Sequence, residues 1–200
     1  MTLSRYQSLR RLALAVLITL VFAAFLLVRS AWGEEGHEAI EIAGMALISI
    51  GIVGRMWCTL YIGGHKSKDI IDSGPYSVTR NPLYLFSSIA AGGVGAQTGS
   101  LMLGLLCFAA SVAAFSLVIR REERHLGGLF GAAYEAYKAR VPRFWPSPRL
   151  FLDSAKLDIS TSRLYRTLGD GLVFFLAVPA FEFVEMLQHG QMMPTVLSLY

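Results

Sequence analysis

Apolar residues fall into long runs along this chain, and polar residues are gathered into the gaps between them. The runs are "RLALAVLITLVFAAFLLV" (11–28), "AIEIAGMALISIGIVGRMWCTLYIGG" (39–64), "LYLFSSIAAGGVGAQ" (83–97), "SLMLGLLCFAASVAAFSLVI" (100–119) and "TLGDGLVFFLAVPAFEFVEMLQ" (167–188). A bilayer core about 30 Å thick needs about 20 apolar residues per helix. The pattern therefore predicts an all-α polytopic membrane protein with about five transmembrane helices. The third run is short, which predicts a tilted helix or one that stops below the far surface. It joins the fourth so tightly around Gly99 that the two predict a helical hairpin over 83–119. Arg55 interrupts the second run, and Asp170, Pro179, Glu182 and Glu185 interrupt the fifth. The first run is long and lacks a small-residue cleavage site, so it is expected to be a retained span rather than a signal peptide.

Composition agrees with this pattern. Of the 200 residues, 54% are hydrophobic and 16% are charged, against roughly 25% charged in an ordinary globular chain. That excludes a soluble domain, and the length suits one integral-membrane domain over 1–200. The formal net charge of +4 raises the question of nucleic acid, and the placement of the charges answers it. Apart from Arg29 and Arg55, every Lys and Arg precedes the first run or lies between runs two and three or four and five. Such segments stay cytoplasmic. The N-terminus, the 63–82 loop and the 120–166 segment are thus expected inside and the C-terminus outside. The basic balance reflects topology, and no nucleic-acid partner is expected. Cys58 and Cys107 form no CxxC pair, and His125 and His189 show no partner spacing, so no metal site is expected.

Between runs two and three lies "SGPYSVTRNPLY" (73–84). Gly74-Pro75 specifies a turn. Asn81-Pro82 reads as a helix start, with Asn as N-cap and Pro at the first helical position. The free N–H groups of that helix end form an anion site, which Arg80 strengthens. A well-capped membrane helix with an interfacial tyrosine pair is the plainer reading of this motif alone.

A second polar stretch, "RREERHLGGLFGAAYEAYKARVPRFWP" (120–146), carries apolar positions 126, 129, 130, 133, 134 and 137 at helical spacing. This predicts a cytoplasmic amphipathic helix. Extending the stripe one turn back places Glu122 inward and Glu123 with the glycines. An inward carboxylate at a membrane surface needs a partner, either a neighbouring arginine or a ligand ammonium. Gly127, Gly128 and Gly131 predict a close neighbour there.

With both motifs in view, the chain resembles the isoprenylcysteine carboxyl methyltransferases and their phospholipid methyltransferase relatives. The resemblance runs from "RMWCTLYIGG" (55–64) through "GPYSVTRNPLY" to "EERHLGGLFGAAYEAYKARVPRF". It implies a cofactor-binding methyltransferase core over 55–146, with 147–200 as an extra C-terminal segment. It implies S-adenosyl-L-methionine at the cytoplasmic face, along Lys68, Asp69, Ile70 and Ile71, against Tyr76 and the Asn81-Pro82-Leu83-Tyr84 step. Glu122 takes its amino group, and Tyr61 matches a further contact position. The methyl acceptor is expected to be hydrophobic or lipid-linked, like an isoprenylcysteine carboxylate, and to enter from the bilayer. Where the family has His, this chain has Asn81 and Lys68, which leaves the substrate class open. The family's substrate arginine falls near Val118, so Arg120, Arg121 or Arg55 would orient an anionic acceptor instead.

Three other readings remain at this level. The Arg-x-Pro-x-Tyr step at 80–84 also resembles that of NADPH-dependent sterol reductases, although their other motifs are not evident. A phospholipid N-methyltransferase and a non-enzymatic membrane scaffold of this fold are the others. Trp32, Trp57 and Trp145 are expected as interfacial anchors, and His65 as a solvated loop residue.

Overall fold

The computed structural model describes residues 28–62, 69–189 and 197–200. The expected first span lies outside them, apart from Val28. Helix α1 runs Glu34–Ile62, 29 residues, and opens on two acids that suit its positive end. A single turn, α2 (Pro75–Val78), precedes α3 (Pro82–Ala96). The 15 residues of α3 extend only roughly 22 Å at 1.5 Å per residue, short of a full bilayer core. After a tight reversal, α4 runs Leu101–Phe130, and the Ser100 hydroxyl accepts from the Leu103 N–H at 3.3 Å as its cap. Together α3 and α4 form the expected hairpin. Helix α5 (Ala132–Arg140) follows. Then come α6 (Thr161–Leu172), a 3₁₀ turn (Val173–Leu176) and α7 (Ala177–His189). A three-residue parallel pair, β1 (Val28–Ser30) with β2 (Leu197–Leu199), is the one departure from all-α architecture among the described residues.

Three described stretches are long and apolar enough to cross a membrane, 34–62, 101–130 and 161–188, and α3 is a shorter apolar helix. The chain is thus an all-α membrane protein. Its helices meet through small residues, as they do where lipid removes the hydrophobic drive for association. A Cβ at Gly44 would lie 2.9 Å from the Gly93 carbonyl, and one at Gly93 only 2.6 Å from the Gly44 carbonyl. A Cβ at Gly95 would meet the Leu103 carbonyl at 2.6 Å. So α3 lies in backbone contact with α1 on one face and α4 on the other. On its far side α1 receives α6, where Gly171 packs on Ile52 and Thr59 and Thr167 share a hydrogen bond of 3.1 Å. The outer face of α4 leaves Leu105, Leu106, Leu117 and Val118 exposed.

The polar segments sort to the two ends of this bundle. Residues 69–81 and 132–153 meet at one end. The other holds the start of α1, the 97–100 reversal and Tyr200, whose carbonyl accepts from Met102 N–H and the Ser100 hydroxyl, both at 2.8 Å. Ser147 and Tyr200 therefore sit at opposite ends, as a crossing by 161–188 requires.

One expectation is corrected here. The 120–146 stretch is no separate amphipathic helix. Its first half continues α4, and the chain breaks at Gly131, whose φ of 53° belongs to the left-handed region that favours glycine.

Candidate functional site

The segment 73–84 is stiff because it is tied at almost every residue. Gly74 is required twice: its φ is +57°, and a Cβ there would lie 2.2 Å from Cζ of Tyr61. Its N–H donates to the Leu152 carbonyl at 2.7 Å, and Ser147 N–H donates to the Val78 carbonyl at 2.8 Å. Arg80 N–H reaches the Pro142 carbonyl at 2.9 Å, and the Thr79 hydroxyl reaches that of Phe144 at 2.9 Å. Asn81 occupies the N-cap position of α3, but its side chain makes no capping bond; its amide donates to the Arg143 carbonyl at 2.9 Å. The capping function is thereby exchanged for a tether, and the first N–H groups of α3 are left without a side-chain acceptor from that residue. The Tyr61 hydroxyl donates to Asp153, and that bond holds the exposed carboxyl below its ordinary pKa. Residues 147–153 thus help build this end of the molecule.

Four of the eleven sequence-predicted cofactor residues, Tyr61, Ile71, Tyr76 and Leu83, collect in one cluster. Cys58, Tyr61 and Tyr76 form a buried cluster against which Ile71 and Leu83 pack, together with Trp57 and Phe86. The Tyr76 carbonyl accepts from the Tyr137 hydroxyl at 2.8 Å, and burial holds both phenols well above their ordinary pKa, so both stay neutral. Ile70 packs instead on the neighbouring cluster of Tyr134, Tyr137 and Val141. Pro82 is buried at the start of α3, Asp69 is exposed, and Lys68 and His65 lie outside the described residues. Trp57 is half-buried and packs edge-on to Tyr61 and Phe86, so it belongs to this cluster rather than to an interfacial belt. Trp32 and Trp145 are exposed.

The two glutamates reverse the expected register. Glu123 is the inward residue, 7% exposed. Its Oε1 faces Arg80 Nη2 at 3.2 Å, and its Oε2 faces Arg143 Nη2 at 2.8 Å and Nε at 3.0 Å. Glu122 is exposed and accepts from the Tyr84 hydroxyl at 2.9 Å, while the Tyr84 ring lies on Phe115 with centroids 4.7 Å apart. The stripe read from sequence ran through 133, 134 and 137, which lie beyond the break at Gly131. Its phase therefore could not be carried back to residue 122. Arg80 is likewise not a free anion contact: it is nearly buried, pairs with Glu123 and donates to the Lys138 carbonyl at 3.3 Å. Among the described residues, no packed neighbour outside the local backbone lies within 4 Å of a Cβ built at Gly128 or Gly131, so the close-neighbour reading of those glycines does not hold there.

One helical face away from Glu122 is an open basin of about 520 Å³, lined by Arg120, Glu123, Arg124, Gly127, Glu135, Lys138 and Arg143. Of the arginines predicted to orient an acceptor, only Arg120 lines it. Arg121 is exposed outside it, and Arg55 lies between α1 and α3, donating to the Ser87 hydroxyl. Sequence reading missed Glu123, Arg143, Tyr137 and Asp153. The basic residues of "KARVPRF" were the one available signal for a buried carboxylate nearby.

The phospholipid methyltransferase family matches residues 40–133, a range that holds the Tyr76 cluster, Tyr84 and both glutamates. The chain is 31% identical over 185 residues to the nickel-cobalt-cadmium resistance protein NccN of Alcaligenes xylosoxydans xylosoxydans, covering 92% of this chain and 86% of that one. It is also 31% identical over 185 residues to the cobalt-zinc-cadmium resistance protein CzcN of Cupriavidus metallidurans, covering 92% and 85% respectively. No solved structure matches it. By its motifs, its helical hairpin and these matches, the chain belongs to the phospholipid methyltransferase family of membrane proteins.

Proposed function

We propose that this family member uses S-adenosyl-L-methionine to methylate a hydrophobic or lipid-linked acceptor. The observation that carries the reading is the contrast between two adjacent carboxylates. Glu123 is neutralised by two guanidinium groups, whereas Glu122 makes no ion pair among the described residues and has a tyrosine hydroxyl beside it. Glu122 is thus available to an ammonium as a charge-assisted acceptor. The start of α3, where Asn81 withholds its cap, suits the carboxylate of the same amino-acid moiety. Tyr61, Ile71, Tyr76 and Leu83 offer an apolar and aromatic wall between α1 and α3. Lys68, Asp69, Ile70, Asn81, Pro82 and Tyr84 complete the proposed contact set.

When bound, the cofactor supplies a methyl group already activated on a sulfonium, so no residue here need form a covalent intermediate. The work left to the chain is to hold donor and nucleophile in line and to exclude water. A carboxylate acceptor reacts without losing a proton, which suits a site whose buried tyrosines are neutral. Arg120 at the basin rim would orient such an acceptor. Val118 lies one turn before Glu122 on the lipid-exposed side of α4, with Leu117 exposed beside it, so the acceptor's apolar part reaches the site from the bilayer. The basic end of the bundle is assigned to the cytoplasm, where the cofactor is found. The names of the relatives set this chemistry within resistance to heavy-metal cations.

The test is equilibrium binding by the purified full-length protein in detergent, with S-adenosylmethionine and NADPH side by side, followed by methyl transfer to a solubilised amphiphile and to its water-soluble headgroup. The reading expects binding of S-adenosylmethionine alone and faster methylation of the amphiphile. Binding of NADPH instead would make the protein a reductase. Binding of neither would leave a scaffold.

A further inference from the structure

At the far end of the bundle, α1 and α7 bring together three side chains that the methyltransferase site does not use. His37 Nε2 lies 3.2 Å from an oxygen of Glu41, one turn on, and 3.4 Å from an oxygen of Glu185 on α7. The three donor atoms all fall within 4.8 Å of one another. We propose that His37, Glu41 and Glu185 bind one divalent cation of borderline softness, such as Zn²⁺ or Co²⁺, and that the ion fastens the C-terminal helix to α1.

Geometry is the first argument. Metal bonds to imidazole nitrogen and carboxylate oxygen of about 2.0–2.2 Å place neighbouring ligands of a tetrahedron roughly 3.3–3.6 Å apart. The observed 3.2 and 3.4 Å are close to that edge and longer than a charge-assisted N–H to carboxylate bond. The placement of the imidazole is the second argument. Nε2 is shielded from solvent and has no hydrogen-bond partner among the described residues, although two carboxylates stand beside it. The ring is also held from behind, since a Cβ at Gly99 would lie 2.0 Å from its Nδ1. Gly99 therefore leaves room for the ring to pack directly on the 97–100 reversal. Charge is the third argument. Two carboxylates face one imidazole, and Glu182, one turn from Glu185, lies within electrostatic reach of Glu41. Partly buried carboxylates gathered in this way are met by cations or metal ions. One nitrogen and two oxygens with an open fourth position suit the zinc-like ions better than magnesium or calcium, which take oxygen ligands. His37 and Glu185 fall outside the residues that the family matches, and Glu41 lies at their very start, so the site stands at the edge of the family region, away from the Tyr76 cluster.

The expected absence of a metal site rested on local spacing of Cys and His, and Glu185 lies far from His37 and Glu41 in sequence. The experiment titrates the full-length, tag-free protein with Co²⁺ and follows the visible absorption bands, then repeats the titration with His37→Gln, Glu185→Gln and Glu35→Gln. Glu35 is exposed on the opposite face of α1. The proposal expects intense tetrahedral-type bands that Zn²⁺ displaces. It also expects affinity to fall at least about tenfold in the first two variants, the lower bound for loss of even an outer-sphere partner, and to be unchanged in Glu35→Gln. Weak hexa-aqua-like bands in the unmodified protein, or equal affinity in all three variants, would overturn it. Because the first readout uses the unmodified protein, a variant that fails to fold does not rescue the idea.

Discussion

The two ends of the helix bundle solve the problem of charge beside a membrane in opposite ways. At the basic end, Glu123 is met by Arg80 and Arg143, Asp72 by Arg140, and Glu135 by Lys138. Backbone bonds from 74–81 to 142–152 close the rest. At the acidic end, Glu41 and Glu185 share one imidazole. The comparison separates charges that hold the structure from charges that we propose bind a ligand. A buried carboxylate persists only when its partners are present, so a satisfied one explains itself. The His37 cluster leaves a remainder in that accounting, whereas Glu122 is exposed and needs no protein partner, so its role rests on the proposed ammonium contact.

The largest break in the comparison should come from Glu123→Gln. Removing one partner of a buried ion pair strands the other, at a cost of about 3–5 kcal/mol. Denaturant or thermal unfolding in detergent should show the protein strongly destabilised. A shift no larger than that of a surface variant would mean that Glu123 is not the buried partner. A smaller effect is expected at the helix contact that links the ends. Gly44→Val places side-chain atoms against the Gly93 carbonyl, where a Cβ alone would come within 2.9 Å. Overpacking of this kind costs about 1–3 kcal/mol, readable in the same unfolding assay. The smallest effect belongs to Asp72→Asn. The Asp72–Arg140 pair is about half exposed on both sides, and such pairs contribute about 0.2–1 kcal/mol. Its loss should be barely measurable and should vanish at high salt.

Much of the fold was legible because hydropathy reports spans directly. The runs at 39–64, 83–97 and 100–119 reappear as α1, α3 and α4, and the Pro82 helix start is where Asn-Pro placed it. The weak fifth run becomes a helix interrupted by a 3₁₀ turn. The glutamate register was not legible. A helical stripe has meaning only within one helix, and the left-handed residue that splits this one is one glycine among three in "GGLFG". Nor could spacing reveal that Arg143, twenty residues past Glu123, returns to it across the α4–α5 bend, or that Glu185 comes to His37. Asn81 shows a subtler limit. Its type and position both say N-cap, yet the nearby Arg143 carbonyl competes for its amide and wins.

The central proposal is that Glu122, which has no ion pair among the described residues and accepts from the Tyr84 hydroxyl, is the cofactor's ammonium partner while its neighbour is structural. Titration of S-adenosylmethionine into Glu122→Gln and the unmodified protein, both confirmed folded by their unfolding transitions, tests it most directly. Losing a charge-assisted contact costs ~1.5–3 kcal/mol, so the variant should bind about ten- to a hundred-fold more weakly at unchanged stability. Equal affinity in the two proteins would contradict the account.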